Sequence, residues 1–326
     1  MRVALTPSYG PASVLTLGDA PAPFVGDNDV LVRVHASVVT AGDRRVRSAD
    51  FPGVSAVVGR LMLGVTRPKH EVQGTMFAGR VLAVGVNVSR FQVGDDVFGA
   101  ADFGAYAEQL AVASDSPLAR MPTGATYEQA AALPYGAGTA LYFLRDLAAV
   151  QPGERVLILG ASGGVGRYAV QLAKHLGADV TAVCSRETFD LARELGADRV
   201  IDYRSEDFTT NGQRYDVIFD VADASSYTHS RPSLTPHGRY MTLYISVPAL
   251  LAVAWTALFG RAKALFAVVL GDQRRTEELG ELLANGTLRP IVAHRFALSE
   301  VADAHACADA GVHGEVVVTM VEAAFA

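Results

Sequence analysis

The chain has 326 residues, half of them hydrophobic, and a formal net charge of −6 at pH 7. That length predicts two domains with substantial cores, and the acidic balance argues against nucleic acid as the main partner. No arginine-rich or apolar targeting signal precedes Val3, and the two cysteines, Cys184 and Cys307, are too few for a disulfide framework. We therefore expect a cytoplasmic protein whose cysteines are small buried hydrophobic residues.

The first 118 residues predict an all-β fold. Short runs of alternating hydrophobicity, such as residues 30–34 and 93–98, are separated by Gly, Pro, Asn and Asp at intervals of about ten residues. This part of the chain therefore predicts a β-rich domain.

Residues 155–166, Arg-Val-Leu-Ile-Leu-Gly-Ala-Ser-Gly-Gly-Val-Gly, predict a turn that binds the phosphates of a dinucleotide. The apolar run before the glycines is typical of a buried parallel strand, and helical spacing follows in residues 168–176. A pyrophosphate reaches the backbone N–H groups of a helix N-terminus only where no Cβ intervenes, which suits Gly163, Gly164 and Gly166. The spacing differs by one position from the common fingerprint, so a glycine turn without a ligand is the alternative.

The next apolar run, residues 180–184, ends at Ser185-Arg186, where an NAD-binding fold carries an acid. A carboxylate would accept hydrogen bonds from the ribose of NAD, whereas a hydroxyl and a guanidinium would bind the 2′-phosphate of NADP. The sequence therefore predicts NADPH as the cofactor. Arg186 as a solvated side chain at a helix start is the alternative, and the adjacent Glu187 weakens the prediction.

Strands and helices alternate onward to residue 288, which is the pattern of a doubly wound α/β domain. After Arg289 the chain returns to strands and is expected to rejoin the N-terminal domain. The predicted strands are 200–201, 217–221, 239–244, 265–270, 293–296 and 315–321, and the predicted helices are 189–195, 276–284 and 300–310.

An apolar stretch, residues 246–270, is interrupted by Arg261 and Lys263. Its uncharged part, residues 247–259, is too short to cross a bilayer, so no membrane span is predicted. We expect this segment to form an apolar helix that either covers a substrate cleft or enters a dimer interface.

Several segments in the same order resemble those of a known family. The whole chain resembles the medium-chain dehydrogenases/reductases, in the zinc-independent quinone oxidoreductase branch near reticulon-4-interacting-protein-like and bacterial NAD(P)-dependent alcohol dehydrogenase sequences. The matching segments are Asp29-Val-Leu-Val-Arg-Val-His-Ala36, Gly74-Thr-Met-Phe-Ala-Gly79, Phe91-Gln-Val-Gly-Asp-Asp-Val-Phe-Gly99, Gly104-Ala-Tyr-Ala-Glu108, Ala130-Ala-Ala-Leu-Pro134, the glycine turn and Gly196-Ala-Asp-Arg-Val-Ile-Asp-Tyr203.

The resemblance implies an α/β protein with a GroES-like β-rich substrate domain, residues 1–119 and 289–326, and a doubly wound Rossmann domain, residues 120–288. It also implies a homodimer in which the sixth strands of two subunits pair. The residues that it assigns to NADPH are Thr139, Ser162, Gly163, Gly164, Val165, Ser185, Arg186, Tyr203 and Leu243.

Thr40, Asp43 and Tyr244 are the candidate catalytic residues, with Thr40 or Tyr244 orienting the carbonyl of an acceptor. The alternative for Thr40 and Asp43 is that they cap the local backbone. Thr40 stands where the resemblance predicts Asn, and the tyrosines that follow in many relatives are replaced by Arg44 and Arg45. These departures weaken the expectation of a quinone as the substrate.

No metal site is predicted, because Gly74-Thr75-Met76 occupies the position of the Gly-His-Glu motif of zinc-containing relatives. The predicted function is hydride transfer from NADPH to a small quinone or similar conjugated carbonyl. The alternatives are an enone or aldehyde reductase or alcohol dehydrogenase, and a non-catalytic NADPH-binding regulatory protein.

Overall fold

The computed structural model describes residues 1–51 and 55–320, and this part of the chain forms two compact units. Residues 1–51, 56–138 and 271–320 form the first unit, whereas residue 55 and residues 139–270 form the second. The parallel sheet described below lies wholly within both the second unit and the predicted Rossmann range, 120–288. The predicted domain bounds stay a prediction.

The strands of the described residues are numbered β1 to β15 in chain order. They are β1 (Arg2–Leu5), β2 (Thr16–Asp19), β3 (Asp29–Val38), β4 (Met76–Val84), β5 (Asp96–Ala100), β6 (Gln109–Ala113), β7 (Leu118–Arg120), β8 (Arg155–Leu159), β9 (Asp179–Cys184), β10 (Arg199–Asp202), β11 (Tyr215–Asp220), β12 (Leu234–Thr242), β13 (Lys263–Phe266), β14 (Val292–Ala297) and β15 (Glu315–Thr319).

The α-helices of the described residues are numbered in the same way, and a π-helical segment, Tyr142–Leu147, continues the fourth. They are α1 (Ala41–Ser48), α2 (Ser55–Leu63), α3 (Tyr127–Ala131), α4 (Leu133–Leu141), α5 (Gly166–His175), α6 (Phe189–Glu194), α7 (Tyr227–Ser230), α8 (Val247–Phe259), α9 (Gln273–Ala284) and α10 (Val301–Asp309).

The second unit is built on a parallel sheet with the strand order β10-β9-β8-β11-β12-β13. Its central strands are buried because helices cover such sheets, which explains the uninterrupted apolar runs in the sequence. The strand order reverses between β8 and β11, and ligands of such sheets bind outside the carboxyl ends at this reversal. The predicted doubly wound fold is confirmed.

The first unit contains a sheet with the order β14-β15-β3-β4-β5-β7, in which β6 also pairs with β3. β15 runs antiparallel to β3, with Val318 opposite Ser37, so residues from both ends of the chain share one sheet. Val32, Phe77 and Val318 lie in its buried core. The predicted return of the C-terminal segment to the N-terminal part is confirmed.

The prediction that the first 118 residues are all-β is wrong, because the helices α1 and α2 interrupt the strands. The strand predicted at 93–98 begins instead at Asp96, since Gly94 has a φ of +95° and forms a turn. In the C-terminal strand predicted at 315–321, residue 321 lies outside the described residues.

Two strands of the parallel sheet also differ from their predicted bounds. The strand predicted at 239–244 runs from Leu234 to Thr242, and the Tyr244 N–H donates to Thr242 Oγ1 rather than to a neighbouring strand. The strand predicted at 265–270 is β13, whose last residue, Phe266, pairs with Thr242. Pairing stops there because β12 has ended.

The uncharged segment at 247–259 forms α8, as expected. Across residues 1–51 and 55–320, no helix has both the length and the apolar character needed to cross a membrane.

Candidate active site

The glycine turn connects β8 to α5 at the carboxyl end of the parallel sheet. Gly160 opens the turn with a φ of +80°, which L side chains rarely adopt. The N–H groups of Gly160 and Ala161 both donate to Val183 O, at 3.0 and 3.1 Å, and tie the turn to β9. The turn is therefore held beside the reversal in strand order.

The glycines of this turn serve two different purposes. A Cβ on Gly166 would lie 2.1 Å from Gly160 O, so this glycine is needed for α5 to pack against the end of β8. By contrast, Gly164 is exposed and a Cβ there would meet no atom within 4 Å, while one on Gly163 would meet only Gly160 O at 3.3 Å. Gly163 and Gly164 thus leave open space at a helix N-terminus, where the helix dipole favours an anion.

The other two predicted residues of the turn, Ser162 and Val165, lie on either side of these glycines. Val165 is the N-cap residue of α5 and makes no side-chain capping hydrogen bond. An anion at this helix end therefore meets backbone N–H groups rather than a capping side chain. The arrangement fits the pyrophosphate of a dinucleotide.

Arg167, in the first turn of α5, was missed by the sequence analysis. Its side chain is almost fully buried, and Nη1 donates to Ser162 O at 3.1 Å. The guanidinium thus holds the carbonyl side of the glycine turn from within the protein. An arginine directly after the last glycine of the fingerprint could have suggested this contact.

Ser185 and Arg186 follow β9 directly. Ser185 has an extended backbone and is partly buried, whereas Arg186 is exposed. The guanidinium of Arg186 makes no hydrogen bond or ion pair with residues 1–51 or 55–320. Its charge is available to a ligand.

The neighbouring strand end adds a second arginine, which the sequence analysis also missed. Arg204 follows β10, and its Nη1 lies 2.8 Å from Glu187 Oε1 in an exposed ion pair. The Arg204 guanidinium also lies over the ring of Tyr203, 5.5 Å from the centroid, and Tyr203 is 59 % exposed. The pKa of Glu187 is lowered to about 2 by three donors, namely the backbone N–H of Glu187, the Ser185 hydroxyl and the Arg204 guanidinium. Glu187 is therefore ionised at neutral pH.

The loop after β11 is organised by Asp220, another residue missed from the sequence. This fully buried carboxylate accepts from the N–H groups of Ala222, Ala224 and Ser225 and from Tyr240 Oη at 3.0 Å. Burial and the Asp220 charge raise the pKa of Tyr240, which therefore stays protonated as a donor. Asp220 thereby fixes the loop.

Leu243 and Tyr244 lie just beyond β12, and the Leu243 N–H approaches Asp220 O at 3.4 Å. Tyr244 borders a cavity of about 110 Å³ within the second unit, together with Tyr240, Thr242 and Val253 of α8. The cavity combines hydroxyl groups with apolar side chains. Such a lining suits a small ligand that carries a polar group on an apolar body.

Thr40 and Asp43 belong to the first unit and form a capping box at the start of α1. The Asp43 N–H donates to Thr40 Oγ1 at 3.0 Å, and Asp43 Oδ2 accepts from the N–H and the hydroxyl of Thr40, at 2.9 and 2.6 Å. Both residues are buried. The structure thus shows the backbone-capping role, and their catalytic role stays a prediction.

A buried polar chain extends from this capping box. Asp43 Oδ1 accepts from Thr75 Oγ1 at 3.1 Å, and Tyr106, which is fully buried, also interacts with the Asp43 carboxylate. Tyr106 Oη lies 3.2 Å from His305 Nε2. Burial raises the pKa of Asp43, and the donors Thr40, Thr75 and Tyr106 oppose that rise.

No group of three or more His, Cys, Asp or Glu side chains in the described parts of the chain could hold a metal ion. Thr75, which stands where zinc-containing relatives carry histidine, donates to Asp43 instead. Cys184 is buried, with the pKa of its thiol raised by that burial, and Cys307 is partly buried.

The candidate residues thus divide between the two units. Thr40 and Asp43 meet in the first unit. In the second unit, Ser185, Arg186 and Tyr203 lie at adjacent strand ends, next to the strand that carries the glycine turn. Thr139 lies in α4, half-buried and already engaged in an interaction.

Comparison with known proteins adds two family models. An alcohol dehydrogenase GroES-like domain model matches residues 26–132, and a model described as zinc-binding dehydrogenase matches residues 195–318.

Two curated relatives resemble the chain over most of its length. Quinone-oxidoreductase QR1, chloroplastic, from Triphysaria versicolor is 30% identical and the match covers 98% of each chain. NAD(P)H oxidoreductase RTN4IP1, mitochondrial, from Mus musculus is 31% identical, with 90% of this chain and 82% of the relative covered.

Two solved structures have the same fold throughout. The quinone oxidoreductase from Coxiella burnetii has a TM-score of 0.85 and 27% identity, over 98% of this chain and 99% of the other. The CurK enoyl reductase has a TM-score of 0.84 and 26% identity over the same shares.

The two kinds of glycine in the turn predict opposite outcomes for Ala substitutions. Gly164→Ala should leave the thermal unfolding temperature nearly unchanged but weaken binding of NADPH and NADH alike, because the new methyl group projects into the open space beside α5. Gly166→Ala should destabilise the protein by several kcal/mol, on the order of 2–5 kcal/mol, because its Cβ would overlap the Gly160 carbonyl.

Thermal unfolding and calorimetric titration of both variants check this prediction. Gly212→Ala, at an exposed turn of the same unit, is the control for destabilisation without loss of binding. Gly212 has a φ of +76°, so Ala is strained there and should lower the unfolding temperature while leaving cofactor affinity unchanged. Unchanged cofactor affinity in Gly164→Ala would contradict the assignment of the turn.

Proposed function

Because the chain belongs to the medium-chain dehydrogenase/reductase family, it is an NAD(P)H-dependent oxidoreductase, and we propose that it transfers hydride from NADPH to a quinone or similar conjugated carbonyl. The observation that carries the choice of NADPH is the exposed guanidinium of Arg186 beside Ser185, which has no partner among the described residues. The names of the relatives from Triphysaria versicolor and Coxiella burnetii support a quinone as the acceptor.

In this proposal, Gly163 and Gly164 bind the cofactor pyrophosphate at the N-terminus of α5. Ser185, Arg186 and Tyr203 bind the 2′-phosphate, with hydrogen bonds from the charged guanidinium as the strongest contacts. Thr139 and Leu243 contact the nicotinamide side of the cofactor. Exposure supports the assignment of Gly163, Gly164 and Arg186, and the position just after a strand supports that of Ser185, Tyr203 and Leu243.

When bound, the nicotinamide supplies the hydride, so the protein has to position the acceptor and stabilise the negative charge that develops on its oxygen. Tyr244 is the proposed donor to that oxygen, since the Thr40 hydroxyl already donates to Asp43. Thr40 Oγ1 keeps a lone pair, so it can accept a hydrogen bond only from a ligand group that carries an O–H or N–H. For a quinone, solvent can protonate the product.

We propose that the reaction is independent of zinc. Thr75 and Met76 occupy the metal-ligand positions of zinc-containing relatives, and neither side chain is a ligand that zinc prefers.

An enone is the second candidate acceptor, because the CurK enoyl reductase shares the fold over 98% of this chain. The hydride would then go to the β-carbon, and Tyr244 would orient the carbonyl oxygen. A panel of acceptors distinguishes the two substrates.

The first test is oxidation of NADPH and NADH, followed at 340 nm, against quinones, enones, aldehydes and ketones. We expect turnover with NADPH and a quinone, and less than one zinc per chain by metal analysis. Preferential turnover of enones would favour the second candidate. Tight NADPH binding without turnover on any acceptor would contradict the proposal and favour a non-catalytic NADPH-binding protein.

Arg186→Ala tests the cofactor assignment. Loss of a charged hydrogen-bonded contact to a phosphate should weaken NADPH binding about 10- to 100-fold and leave NADH binding nearly unchanged. Arg193→Ala is the matched control, because Arg193 is an exposed arginine of the same unit that pairs with Asp190. Equal losses for both cofactors would remove Arg186 from the 2′-phosphate site.

Glu187→Gln should change cofactor preference in the opposite direction. The Glu187 carboxylate forms an ion pair with Arg204 and would repel the 2′-phosphate of NADPH. Its neutral replacement should therefore strengthen NADPH binding several-fold without strengthening NADH binding. Since Glu187 is ionised at neutral pH, the effect should be largest above about pH 7, where the 2′-phosphate carries its full charge, and smaller near pH 5.

Calorimetric titration at low salt measures this effect, with Asp190→Asn as the control for removal of an exposed carboxylate nearby. Unchanged NADPH affinity in Glu187→Gln would show that Arg204 takes no part in the 2′-phosphate site.

We also propose a homodimer that forms through β13 and α8. β13 is an edge strand of the parallel sheet, and an unpaired edge is a ready site for a second chain. α8 exposes a large apolar surface, which is unusual for a monomer. Its exposed residues include Val247, Leu250, Leu251, Trp255, Leu258 and Phe259.

Sedimentation velocity should therefore find a dimer at micromolar concentration, and Trp255→Glu should shift it towards the monomer because a charge would enter an apolar interface. Phe24→Glu, at an exposed apolar residue of the first unit, is the control. A monomeric wild-type protein would contradict the proposal.

A further inference from the structure

The end of α2, in the first unit, carries apolar side chains that face solvent. Leu61 and Met62 in its last turn are 63 % and 69 % exposed, and Val65, just after the helix, is 59 % exposed. All three belong to residues 60–69, which we call the α2 turn. Single exposed apolar residues are ordinary on a protein surface, whereas several large ones within five positions indicate an interaction surface.

The α2 turn is held in a defined shape by its backbone. The Gly64 N–H donates to Arg60 O at 3.0 Å, and the Lys69 N–H donates to Leu63 O at 2.8 Å. Gly64 has a φ of +122°, and a Cβ on it would lie 2.0 Å from Arg67 O, so the chain can reverse here only with glycine. The exposed apolar side chains are therefore presented by a fixed turn.

Side-chain donors bind three backbone carbonyl oxygens of this turn. The three hydrogen bonds run from Tyr9 Oη to Gly64 O at 2.8 Å, from Lys69 Nζ to Leu61 O at 3.2 Å and from Arg60 Nη1 to Val65 O at 3.4 Å. A carbonyl without a partner is costly to remove from water, whereas a carbonyl that already accepts a hydrogen bond is not. The α2 turn is therefore prepared to enter surroundings that are poor in water.

The α2 turn is also locally cationic in an acidic protein. Arg60, Arg67 and Lys69 are exposed, and no Asp or Glu occurs from residue 51 to residue 70, although the whole chain has a formal net charge of −6. Arg60 and Lys69 donate to carbonyls rather than to carboxylates. Among the described residues, the Arg67 guanidinium has no hydrogen-bond or ion-pair partner. Three positive charges are thus available beside the apolar side chains.

We infer that the α2 turn is a docking surface for an anionic phospholipid bilayer. Leu61, Met62 and Val65 lie at the boundary of the acyl chains, and the cations of the turn lie among the lipid phosphates. Apolar side chains combined with Lys and Arg are typical of segments that bind this interface, and each basic residue near an anionic surface adds to the affinity.

The contacts of the α2 turn favour a bilayer over a protein partner. A protein interface carries about one hydrogen bond per 100–200 Å². Arg60 and Lys69 already use donors on carbonyls of the turn itself, so fewer hydrogen-bonding groups remain for a protein. Their charges remain exposed, and a layer of lipid phosphates attracts charge without requiring a particular hydrogen-bond geometry.

This surface goes beyond the proposed function and does not depend on it. An apolar acceptor concentrates in a bilayer through the hydrophobic effect, so an enzyme held at the bilayer surface would meet such an acceptor there. The experiment below measures binding alone. Its result is therefore the same whether or not the protein turns over a quinone.

Co-sedimentation of the full chain with vesicles tests the inference. The vesicles contain either phosphatidylcholine alone or phosphatidylcholine with about 30 % phosphatidylglycerol, at about 0.1 M NaCl, where the Debye length is about 10 Å. We expect binding to the anionic vesicles and much weaker binding to the neutral ones. Binding should fall in about 1 M NaCl, which shortens the Debye length to about 3 Å.

Variants of the α2 turn separate its apolar and cationic contributions. Met62→Glu places a carboxylate among the apolar side chains and should lower the partition coefficient at least about 10-fold, whereas Met62→Leu should bind like the wild type. Arg67→Ala should lower it about 5-fold, the effect of one basic residue near an anionic surface. Val86→Glu and Arg33→Ala, at exposed residues of the same unit, are the matched controls and should bind like the wild type.

Failure of the wild-type protein to bind anionic vesicles would overturn the inference, and so would equal losses in Met62→Glu and Val86→Glu. Vesicle binding that is lost in Trp255→Glu but kept in Met62→Glu would assign the membrane surface to α8 instead. Loss of self-association in Met62→Glu, with no vesicle binding by the wild type, would place a second copy of the chain on the α2 turn. Thermal unfolding checks the fold of each variant, and Arg67→Ala decides alone if Met62→Glu is unfolded.

Discussion

The close approach of α5 to the end of β8 is the constraint on which the proposed cofactor-binding residues of the second unit depend. Gly160 O accepts from the Gly163 N–H, and a Cβ on Gly166 would lie only 2.1 Å from the same oxygen. The chain can therefore turn from strand to helix in six residues only with glycine at position 166. The turn directs the N-terminus of α5 to the carboxyl edge of the sheet, where Ser185 follows β9 and Tyr203 follows β10. The phosphate chemistry of the site follows from this packing.

The sequence predicted what depends on local pattern. Apolar runs and helical spacing predicted the parallel sheet, and the glycines predicted the turn. Both signals depend only on residues that are close together in the sequence. Arg204 and Asp220 were missed, since their roles come from contacts with Glu187 and with the loop after β11 that no spacing rule encodes. The Arg47–His305 contact joins residues 258 positions apart, which a single sequence does not reveal.

The acceptor side shows why residue identity alone is an uncertain guide to chemistry. Thr40 and Asp43 were candidates because they occupy the substrate loop, but their short mutual hydrogen bonds already satisfy much of their donor capacity. A hydroxyl that donates a hydrogen bond to a neighbouring carboxylate can still accept a hydrogen bond from another group. The geometry therefore limits what Thr40 offers to a ligand, and Tyr244 remains the proposed donor.

The pairing of β15 with β3 has a consequence for how the protein is made. Apart from residue 55, the described part of the second unit is one continuous segment, residues 139–270, which can fold as soon as residue 270 has left the ribosome. The sheet of the first unit must wait for β14 and β15, which are translated more than 250 residues after β3. α10, which carries His305, belongs to that late segment. During synthesis, the buried surroundings of Asp43 are thus completed only after the nucleotide-binding part of the chain can already be folded.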